Sequence, residues 1–417
     1  MPRPELMAPA GDAVCLRVAL QAGADAVYFG LEHGSMRAAA RNLAADELVD
    51  AVATCHRAGA RAYLALNCLV QQQELDQTAA ALDQAAAAGV DMVIAADAAT
   101  MVLAAERGLS LCASTQLSIA NATAVRAWHQ RFGLRRIVLA RECSLDDLIA
   151  IRQQTVDLPV EYELFAHGAM CVALSGRCLL SQFTSGHSGN RGACRQPCRR
   201  RYRIIDAEDG TAFLLEPQQV LSPEDLCTIP FIEQLLAAGP HALKLEGRMR
   251  KPEYVDTVVR VYRAAIDTWY QRRHEPGFPE RFAAAKRDWM AALARVYNRG
   301  FSTGFLLGRP LDQWTRRSDN QASHAKQFVG PVVNYYRKPG VAEVLVQSHT
   351  FARGEELLFL GATTGLHRQR ADSLQVAHRP VERAGQSEHV AVATTGRVRR
   401  GDQVYVIRRQ TPATGAP

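Results

Sequence analysis

Eight short apolar runs, each followed by a polar residue or glycine, constrain the fold of this 417-residue chain more than any other feature. They are Glu5–Ala8, Ala26–Gly30, Ala62–Asn67, Met92–Ala96, Ser110–Ser114, Arg136–Ala140, Val160–Ala166 and Ala242–Glu246. Amphipathic, Ala-rich stretches lie between most of them, at 12–23, 45–58, 74–88, 98–107, 121–132 and 144–154. A further helix is expected from Pro223 to Ala238. Nearly all-apolar runs of this length read as parallel strands buried on both faces. Repeated strand–helix units predict a parallel α/β fold, and eight of them predict a closed, TIM-like (β/α)8 barrel rather than an open sheet.

The last two strands are about 75 residues apart, a gap that holds an inserted cysteine-rich segment and a small β excursion (Arg201–Ile205, Thr211–Leu215). Residues 251–300 read as helical with a break at 274–279. The pattern then changes to period two, at Gly330–Tyr336, Val341–Ser348, Leu357–Leu360, Val390–Thr394 and Gln403–Ile407. This predicts a small C-terminal all-β barrel. The expected units are a barrel domain over 1–308, a linker over 309–326, the β domain over 327–410 and a disordered tail over 411–417.

Composition removes other classes. With 48% hydrophobic and 22% charged residues the chain is neither disordered nor fibrous. No apolar stretch reaches the ~20 residues of a membrane span; the longest, Ala85 to Ala105, is broken by Asp91 and Asp97. The N-terminus enters a strand pattern with no signal-peptide core, so a cytoplasmic protein with no membrane partner is expected. There the ten cysteines should be thiols or metal ligands.

Four of them, Cys171, Cys178, Cys194 and Cys198, have the spacing C-x6-C-x15-C-x3-C. Four thiolates can close a tetrahedral zinc site or hold an iron–sulfur cluster. Zinc ribbons prefer pairs two to four apart, and the first pair here is wider. Free structural thiols are the bland alternative. The other six (Cys15, Cys55, Cys68, Cys112, Cys143, Cys227) lie in apolar contexts and are expected to be buried and inert.

Barrel enzymes build their sites at the C-terminal strand ends. Those ends carry Pro9, Gly11, Gly30, Asn67, Asp97, Ser114, Gln116, Arg141, Glu142, His167, Glu246 and Arg248. Asp97 also suits a helix N-cap. His167, Glu246 and Arg141 are the catalytic candidates, the first two as general acid/base. Arg177, Arg248, Asn67 and Gln116 are candidates for substrate binding, with Arg37 and Arg41 behind them. The run from Arg191 to Arg203 holds six arginines in thirteen residues. A solvated basic loop is the simple reading. The functional one is a phosphate-contacting patch, with Arg191, Arg195, Arg199, Arg200 and Arg201 as RNA-binding candidates.

The segment Glu163-x-Phe165-x-His167-Gly168-Ala169-Met170-Cys171-x4-Gly176-x-Cys178-x-Leu180-Ser181 resembles the signature of the U-type peptidase family 32, the collagenase-like peptidases. Glu5-Leu-Met-Ala-Pro-Ala-Gly, Gly23-Ala-Asp-Ala-Val-Tyr-Phe-Gly, Ser114-Thr-Gln, Val138-Leu-Ala-Arg-Glu and Lys244-Leu-Glu-Gly-Arg are similar to the same family, which spans about residues 3–310. The resemblance implies iron–sulfur proteins, with a 4Fe–4S cluster, that install hydroxyl groups without molecular oxygen and depend on prephenate as co-substrate. The family's cluster cysteines map onto Cys171, Cys178, Cys194 and Cys198. Members of this size with a C-terminal β domain resemble tRNA hydroxylases that make 5-hydroxyuridine at the wobble position. The implied partners are tRNA, prephenate and a second protein of the same family. Longer members hydroxylate a cytidine in 23S ribosomal RNA.

Two other readings stand beside this one. A peptidase, the historical family label, lacks support in the motifs: there is no H-E-x-x-H and no G-x-S-x-G. A non-catalytic RNA-binding accessory protein would use the cysteines as a structural site. Prephenate is a dicarboxylate, and rim arginines suit bidentate carboxylate binding.

Overall fold

The structure, a computed structural model, describes residues 2–31, 34–35, 42–44, 46–202, 204–210, 212–213, 221–311, 313–315 and 320–410. Arg37, Arg41 and the tail expected to be disordered (411–417) lie outside the described residues.

The eight expected strands form β1 (Glu5–Pro9), β2 (Ala26–Phe29), β3 (Arg61–Leu66), β4 (Met92–Ala95), β5 (Leu111–Ala113), β6 (Arg136–Val138), β7 (Glu161–Gly168) and β8 (Ala242–Leu245). Each pairs in parallel with the next, and β8 pairs with both β7 and β1, closing a parallel barrel. The helices are α1 (Ala13–Gln21), α2 (Glu47–Arg57), α3 (Leu75–Ala88), α4 (Ala98–Glu106), α5 (Ala122–Phe132) and α6 (Leu145–Gln154). Local chemistry starts and stops them. The side chains of Asp12, Asp97, Asn121 and Ser144 cap the N-termini of α1, α4, α5 and α6.

Side chains alternate across each strand. One set (Leu6, Ala8, Val27, Leu64, Val93, Ile137, Leu164, Leu243) packs outward against the helices. The other (Met7, Tyr28, Tyr63, Met92, Ile94, Cys112, Val138) fills the barrel interior with Phe165.

Charge is also buried inside. The Arg136 side chain, 2% exposed, reaches Glu5 at 2.6 Å, Glu161 at 2.5 Å and Glu163 at 3.4 Å. Glu163 in turn holds Lys244 at 2.9 Å. Burial pulls the guanidinium pKa down, but Glu163, Glu5 and Tyr63 outweigh it and the pKa rises. Arg136 therefore stays charged, as burial among carboxylates requires.

Between β7 and β8 the chain leaves the barrel. The inserted segment contains α7 (Leu180–Ser185) and the two-stranded excursion Ile204–Ile205 with Ala212–Phe213. The expected helix over Pro223–Ala238 is only partly formed. Asp225–Cys227 is a strand antiparallel to the end of β7, Ile229–Phe231 is a 3-10 turn, and α8 covers Ile232–Ala238 alone. Pro230 explains the difference: it lacks an N–H and its ring clashes with the carbonyl four residues back, so a continuous α-helix does not run through it. α9 (Pro252–Arg272) and α10 (Phe278–Ala294) follow, with the break where expected.

The C-terminal region is antiparallel and begins at His324. Its long first strand, His324–Tyr336, pairs with Gln403–Arg409 over one half and Val341–Leu345 over the other. The sheet curls around its own core of Val329, Val344, Leu357, Phe359, Leu374, Val390 and Val404. It docks on the barrel's outer helices. Arg17 and Gln21 of α1 bond the carbonyls of Ala362 and Thr364, and Lys326 pairs with Glu253 at 2.8 Å. No described helix is long and apolar enough to cross a membrane.

Candidate active site

At the C-terminal mouth of the barrel lies a cavity of about 180 Å3. Its floor is Tyr28, Ile94, Val138, Phe165 and Lys244, the top of the barrel interior. The inserted segment supplies the far wall: Cys171, Cys178, Cys194 and Cys198 all line this one space.

The thiols sense one another. Burial raises the Cys198 pKa first; Arg199 opposes this, and Cys171, Cys194 and Cys178 add to it. The Gln196 N–H donates to the Cys194 sulfur at 3.3 Å. The remaining six cysteines are buried as expected. Burial pushes the Cys68 thiol up to about 11 and the Cys143 and Cys227 thiols up to about 12, so they are protonated and inert at neutral pH. Among the described residues, no three His, Cys, Asp or Glu side chains converge closely enough to hold a single metal ion.

Several strand-end residues meet the cysteines in the cavity. Asn67 donates to Gln116 at 2.8 Å and to Ser114 at 3.2 Å, building a polar edge across β3 and β5. Arg141 stacks over the Phe165 ring at 3.9 Å and donates to the Ala169 carbonyl at 2.6 Å. Lys244, Glu246 and Arg248 alternate along and beyond β8, and all three line the cavity. Close backbone approach makes room for Arg248. A Cβ on Gly11 would lie 2.0 Å from the Arg248 carbonyl, and one on Gly30 would lie 2.3 Å from its guanidinium. Asp97 stays out of the cavity lining and caps α4, accepting from Ala99 at 2.8 Å.

Three expectations are corrected. His167 does not face the cavity. Unbroken alternation would place it with Glu163 and Phe165, but a bulge intervenes: Lys244 pairs with Phe165 and Leu245 pairs with His167. A bulge re-aims the side chain after it. The imidazole consequently packs among Tyr254, Tyr262 and Phe301. Burial, then Arg250, lowers its pKa from 6.5 to about 3, which holds the imidazole neutral.

Arg177 is exposed and does not line the cavity. The basic run, thirdly, is divided. Arg191 is held by Glu74 and the Leu69 carbonyl. Arg199 turns inward, donating to Ser222 at 2.9 Å and to the carbonyls of Pro223 and Met170, and lines the cavity. Arg195, Arg200 and Arg201 remain exposed.

Lys244 is the residue that strand-end reasoning overlooked. It lies inside β8, 4.4 Å above the Tyr28 ring. A lysine within the apolar run Ala-Leu-Lys-Leu was the available signal. The lining residues thus include four cations (Arg141, Arg199, Lys244, Arg248) and one carboxylate, Glu246.

The His167 burial has a pH consequence. Its folded pKa lies below the unfolded one, so the unfolded chain binds the extra proton and stability falls as pH drops below about 6.5. The loss from this group between about pH 7 and about pH 5 is about 2 kcal/mol. Denaturation midpoints of wild type and His167→Gln across that range check it. An unchanged pH slope in the variant refutes it.

The sequence model of Peptidase family U32 matches residues 11–316. A Porphyromonas gingivalis protein named collagenase is 37% identical over 410 residues, covering 96% of this chain and 97% of the relative. A Bacillus subtilis protein named tRNA hydroxylation protein P1 is 34% identical over 367 residues, covering 86% of this chain and 84% of the relative. The Escherichia coli tRNA hydroxylation protein P is 29% identical over 402 residues, covering 85% of each. With a matched family model over most of its length and relatives aligned nearly end to end, the chain belongs to peptidase family U32.

Proposed function

We propose that this chain is a cytoplasmic, iron–sulfur, prephenate-dependent tRNA hydroxylase that forms 5-hydroxyuridine at the wobble position. The observation that carries this reading is the single cavity uniting, among the described residues, four cysteines with four cations and one carboxylate. The relatives named tRNA hydroxylation proteins support the RNA substrate.

Four thiolates lining one wall are a donor set that an iron–sulfur cluster takes. A tetrahedral zinc needs its thiolates within ~2.3 Å of one point. Here four thiols line one wall without three converging on a single ion. Thiolates that each hold a different iron do not need to converge. Cys171, Cys178, Cys194 and Cys198 would hold the cluster, which supplies redox or Lewis-acid chemistry when bound.

The chain's own residues bind and orient. Arg141, Arg248 and Lys244 present a cationic face to a dicarboxylate. Phe165 and Tyr28 give it an apolar floor, and Asn67 and Gln116 a hydrogen-bonding edge. Glu246, buried among these cations, is a lining group able to take or return a proton. A base enters only when unstacked, which costs least in an anticodon loop.

The peptidase reading has a named relative in its favour. Against it, no histidine among the described residues lines the cavity to activate Ser114, Thr115 or Ser175.

The deciding measurement is mass spectrometry of nucleosides from tRNA and 23S RNA, with and without the gene, in cells able and unable to make prephenate. Loss of tRNA 5-hydroxyuridine in both deficiencies is expected. Unchanged levels, with no redundant enzyme present, overturn the proposal. Within the site, Arg248→Ala is expected to raise the apparent KM for prephenate by about tenfold or more, the worth of one charged hydrogen-bonded pair. An unchanged KM removes Arg248 from the binding set.

A further inference from the structure

The chain's net charge of +7 comes from 49 basic and 42 acidic residues. Residues 171–205 contain seven arginines (Arg177, Arg191, Arg195, Arg199, Arg200, Arg201, Arg203) and no Asp or Glu. Subtracting them leaves 42 basic against 42 acidic, so the entire excess resides in the cysteine segment. On that same segment the large apolar side chains are displayed to solvent. Phe183 on α7 is 83% exposed, with Leu179 at 46% and Leu174 at 44%. The Phe183 N–H bonds the Leu179 carbonyl at 3.0 Å, one helical turn away, which puts both side chains on one face.

With Leu179 on the same face, Phe183 makes an exposed apolar patch, and such a patch marks a contact surface. Its surroundings say what kind. α7 starts two residues after Cys178, and the Arg195 N–H is anchored to Ser181 of α7 at 2.9 Å. The exposed Arg177, Arg195, Arg200 and Arg201 belong to the same segment, whose sequence carries no acidic residue. An exposed aromatic on an arginine-rich segment that carries no carboxylate matches a single-stranded nucleic acid: a base for the ring and phosphates for the guanidinium groups. A protein partner needs no such one-signed field.

We propose that Phe183 is a base-stacking platform, with Leu179 beside it, that receives an unpaired nucleotide of the RNA substrate at the mouth of the cysteine cavity. This rests on the RNA reading above. Phe183 does not line the cavity, so its role is to seat the strand and not to take part in the reaction.

The test is fluorescence anisotropy of the anaerobically purified full-length protein with a labelled RNA stem–loop, and with a blunt RNA duplex as control. Phe183→Ala is expected to weaken stem–loop binding at least about fivefold, the low end for one lost base–aromatic stack, and to leave duplex binding unchanged. Phe183→Trp restores binding, whereas Phe183→Leu, apolar without a π face, does not. Arg200→Ala with Arg201→Ala instead weakens both probes and flattens the salt dependence. Equal stem–loop affinity for wild type and Phe183→Ala overturns the platform. So does full rescue by leucine, or a change of oligomeric state in Phe183→Ala without RNA, which assigns the patch to protein contact. Phe183-dependent loop binding by a protein that hydroxylates no tRNA would sink the proposed function and leave this inference standing.

Discussion

Cys198→Ala is expected to abolish both the colour and the activity of the protein. Anaerobically purified wild type should be brown, with a broad absorption band near ~400 nm from thiolate-bound iron and sulfide. The variant should lose the band and bring 5-hydroxyuridine in tRNA down to the level of the deletion strain. The geometry behind this is the shared wall: Cys198 lies in the cavity with its three partners and next to the inward-turned Arg199. The fold should survive, because the segment lies outside the closed barrel and contributes little to its core. Retained far-UV dichroism with a lost band is the expected pairing. A colourless wild type containing zinc, or a variant with full hydroxylation, would count decisively against the cluster. The control is Cys112→Ala, a buried thiol on the barrel interior, which should keep the band.

The second large effect concerns stability. Arg136→Met should destabilise the barrel by about 3–5 kcal/mol, seen as a lower denaturation midpoint. The guanidinium sits among Glu5, Glu161 and Glu163 at the closed end of the barrel interior. Methionine fills much of the volume but leaves those carboxylates without their cation. Replacing a partner as well should recover part of the loss, so Arg136→Met with Glu5→Gln should be milder than the two single changes summed. Strict additivity would show that the ion network is not coupled. The network also sets an acid limit. Burial raises the Glu161 pKa, but Arg136 outweighs that and holds it below the usual carboxylate range. Its contribution is present above the unfolded pKa and is lost as pH falls through the folded one.

Much of this molecule was legible in the chain. Strand positions followed from short apolar runs such as Ala26–Phe29 and Met92–Ala95, because a strand buried on both faces must be apolar at every position. The start of α4 followed from Asp97, because a cap is a local bond. The cysteine spacing pointed to one shared site, and the four do line one cavity. Pro230 was a local signal too, and the helix expected across it ignored what proline forbids.

Tertiary structure decided what the side chains at those positions do. His167 ends the right strand, yet the register shift opposite Lys244 and Leu245 rotates it into the aromatic packing around Tyr262. A bulge is set by pairing between strands some eighty residues apart, so nothing near His167 announces it. Arg191 and Arg199 look like their neighbours in the basic run. One is claimed by Glu74, 117 residues away, and the other by Ser222 and two carbonyls. Lys244 became a cavity residue only because eight strands close and bring it over Tyr28. The sequence by itself determined the barrel, its caps and its cysteine cluster, since these depend on periodicity and short-range bonds. Only the fold decided which charges face the cavity and which are spent holding the structure together, since that depends on partners distant in the chain.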